Sequence, residues 1–283
     1  KINKNVKGKI KMKENKSNKI NFKDIYIVVN EKGGVGKSTI AMQVLAPVLY
    51  LNNLNKNLHV WEIDDSNNTK KHINSKYIKY ESLKIKDSEM IINDIEFSNL
   101  TDPNSIHVID GGGSSDSKTI IKRLKQVNLV GLQYIIPTNE DMDQIDNIIN
   151  MIEMIREYDK FGKIYIVLNR CVSLKEDEIK NQFINLFGST DLGIPSQIEN
   201  LAIDEILFVE NSIVYTLLKS HYKIALLDFY FESLDLHENI QEYKVKWGEQ
   251  GHQVFTANNY KFKFSKLVLD LIEKLEPIRK ALL

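Results

Sequence analysis

The stretch IYIVVNEKGGVGKSTI, residues 25 to 40, limits the fold more than any other part of this 283-residue chain. Its five leading residues, Ile25 to Val29, are apolar without a break, as in a strand buried on both faces. Gly33, Gly34 and Gly36 follow, and then Ile40, Val44, Val48 and Leu51 recur at helical spacing. A strand, a glycine-rich loop and a helix in that order make the setting of a phosphate-binding loop. A loop of the form GxxxxGK[ST] needs only one lysine, Lys37, so the purpose of Lys32 is the question the stretch leaves open.

The rest of the chain continues the alternation. Short apolar runs predict strands near 25 to 30, 58 to 63, 105 to 110, 132 to 137, 163 to 169 and 205 to 209. Between them lie helical stripes such as Met142, Ile145, Ile148, Ile149, Ile152 and Ile155. The fold class expected is α/β, a parallel, doubly wound sheet with flanking helices. Pro47 falls inside the helix after the loop, where it must cost a hydrogen bond or a kink. No linker or internal repeat divides the chain, so one domain is expected from 24 to 283, behind an arm formed by residues 1 to 23.

Charge sets that arm apart. It holds nine lysines against Glu14, a net of +8, and because the whole chain is neutral the remainder carries −8. Few of its residues are apolar, so it is expected to be a flexible basic arm, able to meet nucleic acid or anionic lipid through phosphates, or simply a solvated tail. No run approaches eighteen apolar residues and the first residues hold no apolar stretch, which predicts a soluble, cytoplasmic protein. Cys171 is the single cysteine, which rules out an internal disulfide and any site needing several thiolates from one chain; it reads as a small buried hydrophobe at a strand end.

The chemistry of the loop follows from its residue types. Gly33, Gly34 and Gly36 let the backbone turn and aim successive N–H groups at a phosphate; Lys37 brings positive charge to the β and γ oxygens, and Ser38 can ligate Mg²⁺. Asp64 and Asp110 end predicted strands. Carboxylates there can orient an attacking water or hold Mg²⁺ through water, and can equally cap a turn. Gly111, Gly112 and Gly113 provide backbone freedom after Asp110.

The string KGGVGKST resembles the deviant Walker A motif of the ParA/MinD family of ATPases, whose defining addition is the lysine at the position of Lys32. VWEIDDSNN (60 to 68) is similar to the family's switch I segment, IHVIDGGG (106 to 113) to its Walker B strand and switch II, YIIPTNED (134 to 141) to its strand-Pro-polar stretch, and IYIVLNR (164 to 170) to the strand whose Asn reads adenine. The resemblance spans residues 25 to about 170. It implies a P-loop ATPase that binds ATP and Mg²⁺ and sandwiches ATP in a homodimer. Hydrolysis would be slow and partner-stimulated, and would drive DNA (plasmid) partition or positioning. It also implies that Gly33, Gly34, Val35, Gly36, Lys37, Ser38, Thr39, Asn169 and Arg170 contact the nucleotide, and that Ser38 and Asp110 serve the metal. Lys32, Lys37 and Asp64 would be catalytic, Lys32 reaching across the dimer as a charge clamp. The implied partners are a second copy, DNA without sequence preference, and a small DNA-binding adaptor or a transfer protein.

Glu62 departs from the pattern, standing where the family's switch I has the first of two aspartates. It leaves room for another reading, a nucleotide-gated interaction module that hydrolyses slowly or not at all, for instance in plasmid transfer. Relatives built on an Fe–S cluster or a CxxC pair are excluded by the lone Cys171, and tyrosine kinases by the lack of a C-terminal tyrosine cluster. The stripe Phe264, Leu267, Val268, Leu271, Ile272 and Leu275 fits a helix docked on the sheet or, as in MinD-like proteins, one lying on a membrane. Pro277 and the acidic residues Asp270, Glu273 and Glu276 favour docking, so a membrane partner is not expected. Residues 236 to 262, with Trp247, Gly248 and Gly251, match nothing in the family.

Overall fold

The computed structural model describes residues 22, 24 to 65, 75 to 141 and 144 to 283. The basic arm, apart from Phe22, lies outside the described residues. So do Met142 of the helical stripe and residues 66 to 68 of the segment compared with switch I.

In chain order the elements are β1 (Ile25–Val28), α1 (Lys37–Thr39), a π-helical segment (Ile40–Leu45), α2 (Ala46–Asn52), β2 (Asn57–Ile63), β3 (Ile78–Leu83), α3 (Ser88–Thr101), β4 (Ser105–Gly111), α4 (Ser114–Gln126), β5 (Gln133–Thr138), α5 (Gln144–Tyr158), β6 (Lys163–Cys171), α6 (Glu176–Gln182), α7 (Ile184–Phe187) and β7 (Glu205–Glu210). After β7 come α8 (Ile213–Leu217), a second π-helical segment (Leu218–Tyr222), α9 (Leu226–Glu238), α10 (Ile240–Glu249), α11 (His252–Lys274) and α12 (Glu276–Ala281). The seven strands form one sheet in the order β3-β2-β4-β1-β5-β6-β7, and every neighbouring pair is parallel. Helices cover both faces, as the doubly wound reading expects.

Side-chain alternation explains the two cores. Tyr26 and Val28 of β1 point into a cluster with α2, α9, α11 and α12, while Ile25 and Ile27 point into another with α3, α4 and α5. A central strand buried on both faces must be apolar throughout, and β1 is. The strand order reverses beside β1, with β4 on one side and β5 on the other. In open parallel sheets the crevice beyond the carboxyl ends of such strands is where ligands bind, and the glycine loop lies there.

Three local outcomes go beyond the pattern. β3 was not expected: Lys79 and Glu81 break its apolar run, and it holds its place as an edge strand through backbone pairing with β2 from Leu58–Ile78 to Ile63–Leu83. Pro47 neither breaks nor caps the loop helix. The preceding turn is π-helical, with Ala46 N–H reaching back to Ala41 O, so the missing proline N–H falls where the winding changes at the start of α2. Residues 236 to 262 form the end of α9, all of α10 and the first half of α11. Trp247 is buried and stacks with Tyr243, and Gly251, at φ 100°, makes the reversal between the helices.

Phe264, Val268, Leu271 and Leu275 are buried in the core beneath α11 while Leu267 is exposed, and Pro277 opens α12, so most of the C-terminal stripe docks on the core, with α11 packed chiefly on α9. Cys171 is a free, fully buried thiol at the end of β6, as expected. Among the described residues no helix is long and apolar enough to cross a membrane.

Candidate functional site

The loop between β1 and α1 takes its shape from two glycines in the left-handed region, Gly34 at φ 82° and Gly36 at φ 94°. L side chains resist that conformation, so the run GGVG is a backbone requirement. Gly36 carries a second constraint, since a Cβ there would stand 2.2 Å from Nδ2 of Asn169. Between them Val35 is buried and anchors the loop, while Gly33 and Gly34 are exposed above it. Glu31, in the position where the general pattern has its first glycine, forms an ion pair with Lys118 of α4 at 3.0 Å.

Lys37 is nearly buried. Its Nζ donates to the carbonyls of Asn30 (3.1 Å) and Lys32 (2.9 Å), so the ammonium curls back beneath the loop. Burial lowers its pKa, and the carboxylates of Asp110, Asp64 and Asp116 oppose that shift by favouring the charged form. Lys32 takes part through its backbone: its N–H donates to Asn30 Oδ1 (2.9 Å) and its carbonyl receives Lys37.

Asn30, which the sequence reading passed over, organises this end of β1. It is fully buried, its Nδ2 donates to Pro137 O of β5 (2.7 Å), and its carbonyl accepts from Ser117 of α4 (3.1 Å). Through its side chain and its backbone, this one residue ties together β1, β5 and α4 around the loop. A polar residue between a buried strand and the glycines was the only signal of it.

Strand register brings the acidic residues together. Glu62 of β2 lies directly opposite Asp110 of β4, and Asp110 is paired on its other side with Val28 of β1. Asp110 is fully enclosed, and its Oδ1 has no hydrogen-bond partner. Burial pushes its pKa up to about 7, against the pull of a hydrogen bond from the Ser38 hydroxyl; Glu62 and Asp64 add repulsion and Lys37 offsets part of it. Glu62 is also buried and accepts the Tyr80 hydroxyl from β3. Asp64 follows β2, its N–H bonded to Leu83 O at 3.2 Å. Gly112 is needed for close approach: its N–H meets Ile63 O at 2.7 Å and a Cβ there would strike Asp116. None of Gly111, Gly112 and Gly113 has a positive φ.

Asn169 and Arg170, at the end of β6, reach the loop from the other side. Asn169 Nδ2 donates to Val35 O (2.8 Å), its Oδ1 accepts the Arg170 N–H (2.9 Å), and Arg170 Nη2 donates to Gly34 O (3.2 Å). Arg170 itself has φ 62°. In this arrangement the amide nitrogen of Asn169 and the guanidinium of Arg170 brace the glycine loop.

The expected site residues therefore converge on the carboxyl ends of β1, β2, β4 and β6, around a cradle that a phosphate and a divalent cation fit. The fold is a doubly wound parallel α/β sheet with the glycine loop at the point where its strand order reverses. An unpartnered carboxylate oxygen beside a serine hydroxyl is a donor set for a hard cation, and glycine N–H groups over a buried lysine suit an anion. Among the described residues no cluster of three or more His, Cys, Asp or Glu forms a ready-made metal site, so a cation here would take its remaining ligands from nucleotide and water.

No protein-family model matches the chain, and no curated protein does. Among solved structures it overlaps a ParA family ATPase from Chlorobium tepidum TLS at 15% identity and a TM-score of 0.37, over 66% of this chain and 84% of that one. A putative plasmid partition protein from Borrelia burgdorferi B31 bound to AMPPNP overlaps at 15% identity and a TM-score of 0.43, over 71% and 90% of the two chains. A LAO/AO transport system kinase overlaps at 11% identity and a TM-score of 0.38, over 91% and 68%. These overlaps are loose, and the fold rests on the strand order and the loop.

Proposed function

We propose that this chain is a ParA-like ATPase that binds ATP with Mg²⁺, pairs with a second copy across the nucleotide, and hydrolyses ATP to partition or position DNA. The observation that carries the reading is the seat of Lys37, a buried ammonium held under a two-glycine loop and flanked by Asp110 with an unpartnered oxygen.

The loop N–H groups and Lys37 bind and orient the phosphates, exchanging the carbonyl contacts of Lys37 for phosphate oxygens. Ser38 and Asp110 hold the cation, which when bound supplies charge neutralisation on the phosphates. Thr39, next along the helix, offers a further hydroxyl. Asp64 orients the attacking water at the open end of β2. Asn169 and Arg170 keep the cradle in shape, and an adenine contact by Asn169 requires it to exchange at least one partner. The Lys32 ammonium acts in trans, on the phosphates held by the second copy, in the manner of an arginine finger. DNA contacts fall to the arm of residues 1 to 23, the densest source of positive charge, and an adaptor or transfer protein is the expected stimulating partner.

Glu62 favours a second reading, the slow nucleotide-gated module, because it is buried and committed to Tyr80 beside the cation position. Turnover measured with and without DNA separates the two. DNA-stimulated hydrolysis fits the partition ATPase, and tight ATP binding without turnover fits the module. Within the first reading, Lys32→Ala is expected to keep ATP affinity within about threefold while losing ATP-dependent dimerisation and turnover; normal turnover would leave Lys32 as a loop residue.

A further inference from the structure

Beside the glycine loop, across a wall formed by Ser38, Thr39 and Asp110, lies a second space. A cavity of about 490 Å³ opens between the loop helix and the segment that follows β7. It shares Ser38, Thr39 and Asp110 with the cradle as a common wall, and its lining includes none of Gly33, Gly34, Gly36, Lys37, Asn169 or Arg170. It is therefore a neighbour of the cradle and not the cradle itself. Its volume is in the range that takes a small organic ligand.

The walls and the two ends differ in chemistry. Met42, Leu218, Ile224 and the rings of Tyr80 and Tyr215 form an apolar barrel. At the floor stand Glu62 and Asp110, both buried and acidic. On the lining from the second π-helical segment onward are Lys219 and Lys223, both exposed and without an ion pair among the described residues. The hydroxyl of Tyr215 has no hydrogen-bond partner, a condition that calls for an explanation in a buried group.

The backbone around the cavity is unusual on both sides. Both π-helical segments of the chain's described residues line it, Ile40–Leu45 through Met42 and Gln43, and Leu218–Tyr222 through Leu218, Lys219 and Ser220. Such wide turns concentrate at functional sites because the extra residue re-aims side chains. Lys223, at φ 53°, then turns the chain back so that Ile224 closes the wall. Gln43 is held by accepting the Leu226 N–H at 2.8 Å.

We infer that this cavity is a binding site for a small amphipathic anion, with its apolar body between Met42, Leu218 and Ile224 and its anionic group at Lys219 and Lys223. The orientation follows from charge. Carboxylates at the floor repel an anion and two unpaired ammonium groups draw it outward, while the apolar walls exclude polar bodies. The inference goes beyond the ATPase reading and does not require nucleotide to bind.

The test is calorimetric titration of the full chain with decanoate, below its micelle concentration, and with decanol and decyltrimethylammonium as chains of matched length. Decanoate is expected to bind with one-to-one stoichiometry, and decanol about tenfold more weakly, the loss of two partly exposed charge contacts. Lys219→Gln with Lys223→Gln, two exposed changes that leave the core intact, is expected to bring decanoate down to the affinity of decanol. Lys37→Ala is expected to keep decanoate binding, so loss of the nucleotide site and loss of this one are read separately. Equal binding of all three chains, tighter binding of the cation, or no binding of any would overturn the inference.

Discussion

Two pairs of titratable side chains face each other across the same two strands. Glu62 and Asp110 sit toward the carboxyl end of β2 and β4, and His59 and His107 sit three residues earlier in the same register. The odd number of steps sends the pairs to opposite faces of the sheet. Both hold buried polar atoms without partners: Asp110 Oδ1 in one, His59 Nδ1 and His107 Nε2 in the other. Their surroundings differ. The carboxylates have Lys37 and the Ser38 hydroxyl beside them, next to glycine turns that expose backbone N–H groups. The imidazoles pack edge to face, 5.5 Å between ring centres, with Trp61 donating to His107 Nδ1 and Asp102, Glu81 and Lys79 as their nearest charges. Burial holds His107 down at about 4, so it is neutral at pH 7. Burial alone thus yields an inert polar pair; a site requires donors and counter-charges arranged for a guest.

The comparison breaks most sharply at Lys37. Lys37→Ala is expected to weaken ATP binding by at least about a hundredfold, because a buried charge that meets phosphate directly is removed, whereas His107→Gln leaves ATP affinity unchanged. Titration of both variants with a non-hydrolysable ATP analogue reads this directly, and equal losses would erase the distinction between the two ends.

Gly36→Ala comes next. It forces a side chain into φ 94° and onto Asn169, so a stability loss of about 3 kcal/mol is expected in urea melts, along with distortion of the loop. Unchanged stability would mean that Asn169 yields easily and does not brace the loop.

The histidine end is sharpened by pH. Unfolded histidine takes up its proton near 6.5, while folded His107 resists until about 4, so stability is fully present above 6.5 and falls as pH drops toward 4. The expected loss is about 3 kcal/mol by pH 4, and His107→Gln, which retains an acceptor for Trp61, should flatten that part of the profile. A parallel profile in the variant would assign the acid sensitivity elsewhere. The smallest effect belongs to the rim of the loop: Lys118→Ala, which breaks the pair with Glu31, should change stability by less than about 1 kcal/mol, and a larger shift in the melting curve would promote that pair to part of the site.

Particular residues show what could be read early. β1, β4, β5 and β6 were legible because strands buried on both faces must be apolar along their length. β3 was not, because an edge strand with Lys79 and Glu81 earns its place by pairing with β2 and has no periodic signature of its own. Pro47 was visible as a conflict, yet the π-helical turn before it came from packing. Asn169 stood out as a candidate at the end of β6, but not its amide contact with Val35, since 134 positions separate them. Asn30 was marked only by its polarity between an apolar strand and the glycines.

The glycine turn and the parallel α/β class were readable from the chain alone. Glycine φ angles, an unbroken apolar run and helical spacing are demands that neighbours in the chain satisfy or fail among themselves. Tertiary contacts were needed to set Glu62 opposite Asp110, to join β1 to β5 and α4 through Asn30, and to wall a cavity beside Ser38 and Asp110 with the segment after β7. Those contacts depend on strand order and register, which are chosen by the burial of whole faces at once and not by any short stretch of residues.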